Sequence, residues 1–175
     1  MPSVVLQQVS NKFARDNASK TLDKPFALKY VEKYLPPEYF KKIESKCLDG
    51  KVYIWGAKAE RVHQFGKMPH GQSLVLFRRN ATVYKCGVLI QWVYNPVLAE
   101  HLWGHDNDNE TWGMIFFLKD TKDLSVSATE INELIERKTS DNWQALTAVI
   151  SPVAEKVIEF VKSKLTERLN QKGDA

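Results

Sequence analysis

"SLVLFRRNATVYKCGVLIQWV" (residues 73–93) decides how this chain is organised. Two runs rich in β-branched and aromatic residues, 73–78 and 82–93, flank Arg79–Asn80–Ala81. That is the pattern of a β-hairpin. Upstream, "KVYIWG" (51–56) follows an Asp49–Gly50 turn and reads as another strand, ending at a glycine. The intervening stretch from Ala57 to Gly71 holds Gly66 and Pro69 and shows no period, so it is expected to be a loop, of a length that often carries function. Earlier still, "PPEYFKKIESKC" (36–47) predicts a helix, with prolines at its entry and Tyr39, Phe40, Ile43 and Cys47 at helical spacing. Residues 1–24 hold few large apolar anchors and are expected to form a polar arm or short leading helix.

Downstream, Pro96 opens a short helix, "PVLAEHLW" (96–103). A polar loop, "GHDNDNET" (104–111), and a strand, "WGMIFFLKD" (112–120), come next. Ser127, with Glu130 three residues on, predicts a capping box for "ATEINELIERK" (128–138). Ser151–Pro152 opens a last helix, where Val153, Val157, Ile158, Val161 and Leu165 form one apolar stripe. Residues 171–175 read as a linker or tail. Strands in the middle with helices at both ends predict an α+β fold: one domain over residues 25–170, built on a small curved, barrel-like mixed sheet.

Composition narrows the function. The 175 residues are 43% hydrophobic and 26% charged, a globular balance. No apolar run approaches the roughly 20 residues that span a bilayer. The first twenty residues lack a secretory pattern, so a cytoplasmic protein with Cys47 and Cys86 as buried thiols is expected. The net charge of +4 is compatible with a phosphate-bearing partner. Signatures of catalysis are missing: no phosphate loop, no G-x-S-x-G elbow, no H-E-x-x-H. His101 and His105 are four apart but have no third ligand nearby, and read as one packed and one exposed histidine. "DNDNE" (106–110) begins like a calcium loop, yet Thr111 and Phe117 occupy the sixth and twelfth positions, so a solvated loop is expected. No catalytic residue, metal or cofactor is assigned.

Five tryptophans are the remaining signal. Trp92, alternating with Ile90, and Trp143, between helices, read as core. Trp55, Trp103 and Trp112 fall at the ends of predicted elements, where a sheet's rim binds ligands. Facing indoles there would make a slot for a flat base, and stacking on a base is worth about 1–3 kcal/mol.

From about Lys51 to Asp120 the chain resembles the YTH and EVE branches of the PUA-like superfamily, which read modified bases. "VYIWGAK" (52–58) is similar to the strand carrying the first cage tryptophan, which puts Trp55 in that role. "SLVLFRRNATVYKCGV" (73–88) resembles the hairpin that follows. "VYNPVLAEHLW" (93–103) resembles the stretch supplying a base-contacting asparagine and the second cage tryptophan, here Asn95 and Trp103. "WGMIFFLKD" resembles the closing strand. The family's third cage aromatic falls near Asp108, leaving either Trp112, Trp92 or Phe65 as its substitute or a cage of two walls. The "LW…TW…FFL" pattern is similar to PUA-like domains fused to prokaryotic restriction enzymes. The resemblance implies the N-terminal specificity domain of an McrB-like, modification-dependent restriction GTPase, with motor and nuclease on other segments or subunits.

That relationship implies binding of methylated double-stranded DNA by flipping one base into an aromatic cage. Trp55 and Trp103 would be the walls, with Trp112 beside them. Asn95 would bond a ring edge, unless it only caps the short helix, and the Gly56 carbonyl would accept an exocyclic N–H. N6-methyladenine, which keeps one such N–H, comes first and 5-methylcytosine second. Lys58, Arg61, Lys67, Arg78, Arg79 and Lys85 are basic and near these segments, and are the expected phosphate contacts. The alternatives are a reader of modified RNA, a nucleobase- or RNA-acting enzyme using Asp106 and His105, and a peptide-binding module.

Overall fold

The computed structural model describes residues 1–174. Seven strands form one mixed sheet: β1 (Ser3–Gln8), β2 (Phe26–Ala27), β3 (Lys51–Ala57), β4 (Ser73–Arg79), β5 (Thr82–Tyr94), β6 (Met114–Ser127) and β7 (Thr147–Ile150). Six α-helices accompany them: α1 (Lys12–Thr21), α2 (Pro37–Glu44), α3 (Val62–Phe65), α4 (Pro96–Trp103), α5 (Ala128–Leu134) and α6 (Val153–Gly173). The strand order is β2-β3-β6-β5-β4-β1-β7. The α+β class and the mixed sheet agree with the sequence. The sheet does not close into a barrel, because β2 and β7 remain as its two edges.

The β4–β5 hairpin turns at Asn80, whose φ of 54° is left-handed, a conformation asparagine tolerates because its short side chain bonds locally. β5 pairs along most of its length with β6, and three register shifts interrupt that ladder. Each such irregularity bends and twists a strand, which curves the sheet. β6 continues seven residues beyond the predicted end at Asp120. Its polar second half is held by β5, with Lys85 opposite Asp123 and their charged ends 2.7 Å apart.

The largest departure lies at the N-terminus. Residues 1–24 are no arm. They contain the short helix α1, but also β1, which runs parallel to β4 and antiparallel to β7. Val4, Val5 and Leu6 are wholly buried. Strands covered on both faces read as a short apolar run without alternation, so three consecutive apolar residues give little sign of a central strand.

Alternation along β3 and β6 sorts the core. Trp55 opposite Phe116 faces the cluster with Phe65, Phe77 and the Ala14 and Ala18 side of α1. Their neighbours Ile54 and Phe117 face the other way, against Ile43 of α2 and Leu98 of α4. A third cluster packs α5 and α6, through Ile131, Ala154, Val157 and Val161, over Leu6, Leu76 and Val83. Cys47 and Cys86 are both buried. The predicted loop at 57–71 contains the single turn α3, which buries Phe65. α5 stops at Leu134, short of Lys138, and Glu136 then adopts a left-handed φ of 58°. α6 runs on to Gly173, so residues 171–173 of the expected tail are helical, while Ala175 lies outside the described residues. No helix among the described residues is long and apolar enough to cross a membrane.

Deleting residues 1–10 should therefore abolish the cooperative thermal transition followed by circular dichroism. An unchanged midpoint would identify that segment as dispensable.

Candidate nucleic-acid interface

A cavity of about 300 Å³ forms where the end of β1, the start of α1, the end of β3, Trp112 and residues 143–146 meet. That is the lower end of the range of small-ligand pockets, roughly 300–1,000 Å³. Trp55, Trp112 and Trp143 line it, together with the amide residues Gln7, Gln8 and Asn11. Trp55 is only 1% exposed, and its Nε1 donates to Oε1 of Gln7 at 2.8 Å. An indole N–H can only donate, so this bond fixes which end of the Gln7 amide is oxygen. The Gln7 nitrogen then remains a donor that no hydrogen bond within the described protein uses. Asn11 caps α1 by accepting from the Ala14 N–H at 2.8 Å, which leaves its own NH₂ beside the cavity.

Of the predicted base-contacting set, Trp55, Gly56 and Trp112 line this space, whereas Trp103 and Asn95 do not. The Trp55 and Trp103 rings are 6.5 Å apart and inclined at 62°, in edge contact. Trp112 joins both, at 4.9 Å from Trp55 and 5.8 Å from Trp103. Trp103 covers Gly56 so closely that a Cβ there would lie 2.6 Å from its ring. No base fits between Trp55 and Trp103. The three indoles are a packed edge-to-face cluster, and the open space lies beside Trp55 and Trp112. Trp103 is 4% exposed and donates to Thr21 Oγ1 at 3.1 Å, which pins α1 to α4. Asn95 is used at both ends: its oxygen accepts from the Leu98 N–H at 2.9 Å, and its nitrogen donates to the Tyr34 carbonyl at 2.7 Å. Trp92, half-buried against Phe65 and His70, contributes no wall, and neither does Phe65.

The charged candidates divide in the same way. Lys58 stands at the cavity's edge, yet Glu110 at 2.6 Å, Asp106 at 2.8 Å and Asp108 at 3.7 Å surround its ammonium. Hydrogen bonds to Asp106 and then Glu110 hold its pKa well above the usual lysine value. Asp106 feels partial burial, which would raise its pKa. The bond from Lys58 and the backbone N–H groups of Glu110 and Asp108 outweigh that and keep it low. The "DNDNE" loop is thus a clamp on one lysine. Arg78 lies over the Trp143 ring, 5.7 Å from its centroid, and donates to the carbonyls of Asn80 and Asp141. Arg79 is held by Asp23 at 3.3 Å and by the Tyr84 ring. Lys85 is 7% exposed and tied to Asp123. These three cations are spent inside the fold. Arg61, at the cavity's edge, has only Glu60 near it, at 4.0 Å, and Lys67 is exposed without an ion pair. His101 packs on Tyr34 and His105 lies 4.0 Å from Glu100; among the described residues no group of three or more metal-ligating side chains forms.

Gln7, Asn11 and the loop around Trp143 escaped the sequence reading because they come from segments read as an arm and as helical packing. The loop is built around Asn132, fully buried on α5. Its nitrogen donates to the carbonyls of Thr139 at 3.1 Å and Asp141 at 3.0 Å, and its oxygen accepts from Trp143 Nε1 at 2.6 Å. These bonds hold Trp143 in a left-handed backbone, φ 54°, that a large side chain otherwise avoids.

No protein-family model and no curated protein sequence matches the chain. Among solved structures, the N-terminal domain of Thermococcus gammatolerans McrB, bound to m5C DNA, matches 92% of this chain and 98% of its own, with a TM-score of 0.68 and 19% identity. The chain has the fold of an McrB N-terminal domain. The α+β architecture expected from the sequence stands with it.

Gly56→Ala should cost about 1–3 kcal/mol in denaturant unfolding, because the added methyl meets the Trp103 ring and the Trp112 carbonyl. Asn132→Ala leaves the Trp143 N–H and two carbonyls without their partner, and should lower stability by at least about 1–3 kcal/mol in the same measurement.

Proposed function

We propose that this chain is a DNA-binding domain that recognises a methylated base, held in the cavity bounded by Trp55, Trp112 and Trp143. The observation that carries this reading is a base-sized, indole-walled space with an unused amide donor, in a fold shared with a domain solved on m5C DNA. A duplex hides its bases, so the target is extruded at a cost of a few kcal/mol. Trp112, half-buried at the cavity, stacks on the extruded base. The Gln7 NH₂ donates to an acceptor on its edge. An added methyl group is apolar and strengthens contact with indole surface.

5-Methylcytosine takes first place because the structural neighbour holds DNA with that base. N6-methyladenine, favoured by residue types alone, takes second. In this reading the chain contributes no catalytic step. It serves as the specificity module of a modification-dependent restriction system whose GTPase motor and nuclease lie on other segments or subunits.

Fluorescence titration of duplexes carrying unmodified, 5-methylcytosine or N6-methyladenine sites tests the reading, with matched methylated RNA as a further arm. Methylated DNA should bind more tightly than unmodified DNA and than RNA. Trp112→Ala should remove about 1–3 kcal/mol of stacking, a roughly 5- to 160-fold loss on the methylated duplex. Trp55→Ala is unsuited to this purpose, since emptying so buried a site costs about 3–5 kcal/mol of stability. Equal affinity for all duplexes, or full methyl preference in folded Trp112→Ala, would exclude the cavity as the reading site.

A further inference from the structure

A second cleft, of about 450 Å³, adjoins the base cavity, and the two share Arg61, Gln144 and Ala145 as lining. Arg137 and Lys138 form its other basic groups. Neither was singled out by the sequence, since both sit in what reads as the end of a helix. α5 ends early, and the left-handed Glu136 turns the chain so that they face the cleft. Lys138 is exposed and has no ion-pair partner among the described residues. Arg61 Nε lacks any hydrogen-bond partner, with Glu60 no closer than 4.0 Å. Arg137 shares Asp141 at 3.3 Å, the one carboxylate in the lining. Three cations therefore meet one carboxylate here. Across the base cavity the balance is reversed, because Asp106, Asp108 and Glu110 crowd the single ammonium of Lys58.

We infer that this cleft holds the DNA backbone phosphate beside the inserted base, so that the strand leaves the base cavity between Arg61 and Lys138 and not over the Asp106–Glu110 loop. The inference rests on the modified-base reading and names the path of its ligand. Phosphate oxygens would complete the donors that Arg61 and Lys138 leave unused, whereas the acidic loop on the opposite side repels the same groups. The loop pinned by Asn132 serves both clefts, since Gln144 and Ala145 line each and Lys138 faces the backbone side.

The test compares wild type, Arg61→Ala/Lys138→Ala and Lys156→Ala/Lys162→Ala on methylated and unmodified duplexes across a salt series, with circular dichroism to confirm folding. Lys156 and Lys162 are exposed lysines on α6, away from this cleft, and their double replacement matches the change in net charge. The double variant should weaken both duplexes by the same factor, preserving the methylation ratio. Its slope of log affinity against log salt should flatten by about 0.9 for each phosphate contact removed. Affinity and slope unchanged from wild type, or changed no more than in Lys156→Ala/Lys162→Ala, would overturn the phosphate assignment. A wild-type protein indifferent to methylation would instead defeat the base-reading proposal, and the slope comparison would still decide what the cleft binds.

Discussion

A buried indole N–H must find an acceptor, since leaving it unpaired costs about 1–3 kcal/mol. In this chain the N–H of Trp55 finds Gln7, and much else follows. That bond joins the last turnings of β1 to β3, two strands that lie four places apart in the sheet. It brings an N-terminal strand end and a mid-chain strand end to one rim. It also orients the Gln7 amide, so a polar donor is presented beside Trp55 and Trp112. Trp103 and Trp143 obey the same constraint through Thr21 and Asn132, each tying a helix to its neighbour. Trp55, Trp103 and Trp143 are structural ties, and of these Trp55 and Trp143 also line the cavity.

Charge is handled in a comparable way. Arg78, Arg79 and Lys85 are consumed by carbonyls, carboxylates and aromatic faces within the fold. Burying part of a cation without such partners would be costly, so side chains drawn inward by the strands acquire them. Two cations on irregular segments escape that demand. Arg61, at the end of a short 3₁₀ turn with Glu60 no closer than 4.0 Å, and Lys138, past the end of α5 with no ion pair among the described residues, carry charge beside a cavity. Arg78, Arg79 and Lys85 on the strands thus stabilise the fold, as does Lys58 in its acidic loop, while Arg61 and Lys138 face a cleft.

The sequence by itself determined the α+β class, the β4–β5 hairpin, the strand through Trp55, the Pro96 helix and the apolar stripe of α6. Each is written in neighbouring residues as a period of two or 3.6, a turn triplet or a capping proline. Asn95 was legible too, in its plainer role as a helix cap, because capping depends on residues only three apart. The convergence of Trp55, Trp103 and Trp112 could be anticipated from their positions at element ends. Their edge-to-face contact, which closes the slot between Trp55 and Trp103, could not. Only the tertiary structure decided that β1 is a central strand, that Gln7 and the Asn132 loop wall the cavity, and which cations stay free. Those outcomes depend on pairings between residues 48, 63 or 70 positions apart, and local periodicity carries no record of which distant partner satisfies a buried donor or neutralises a charge.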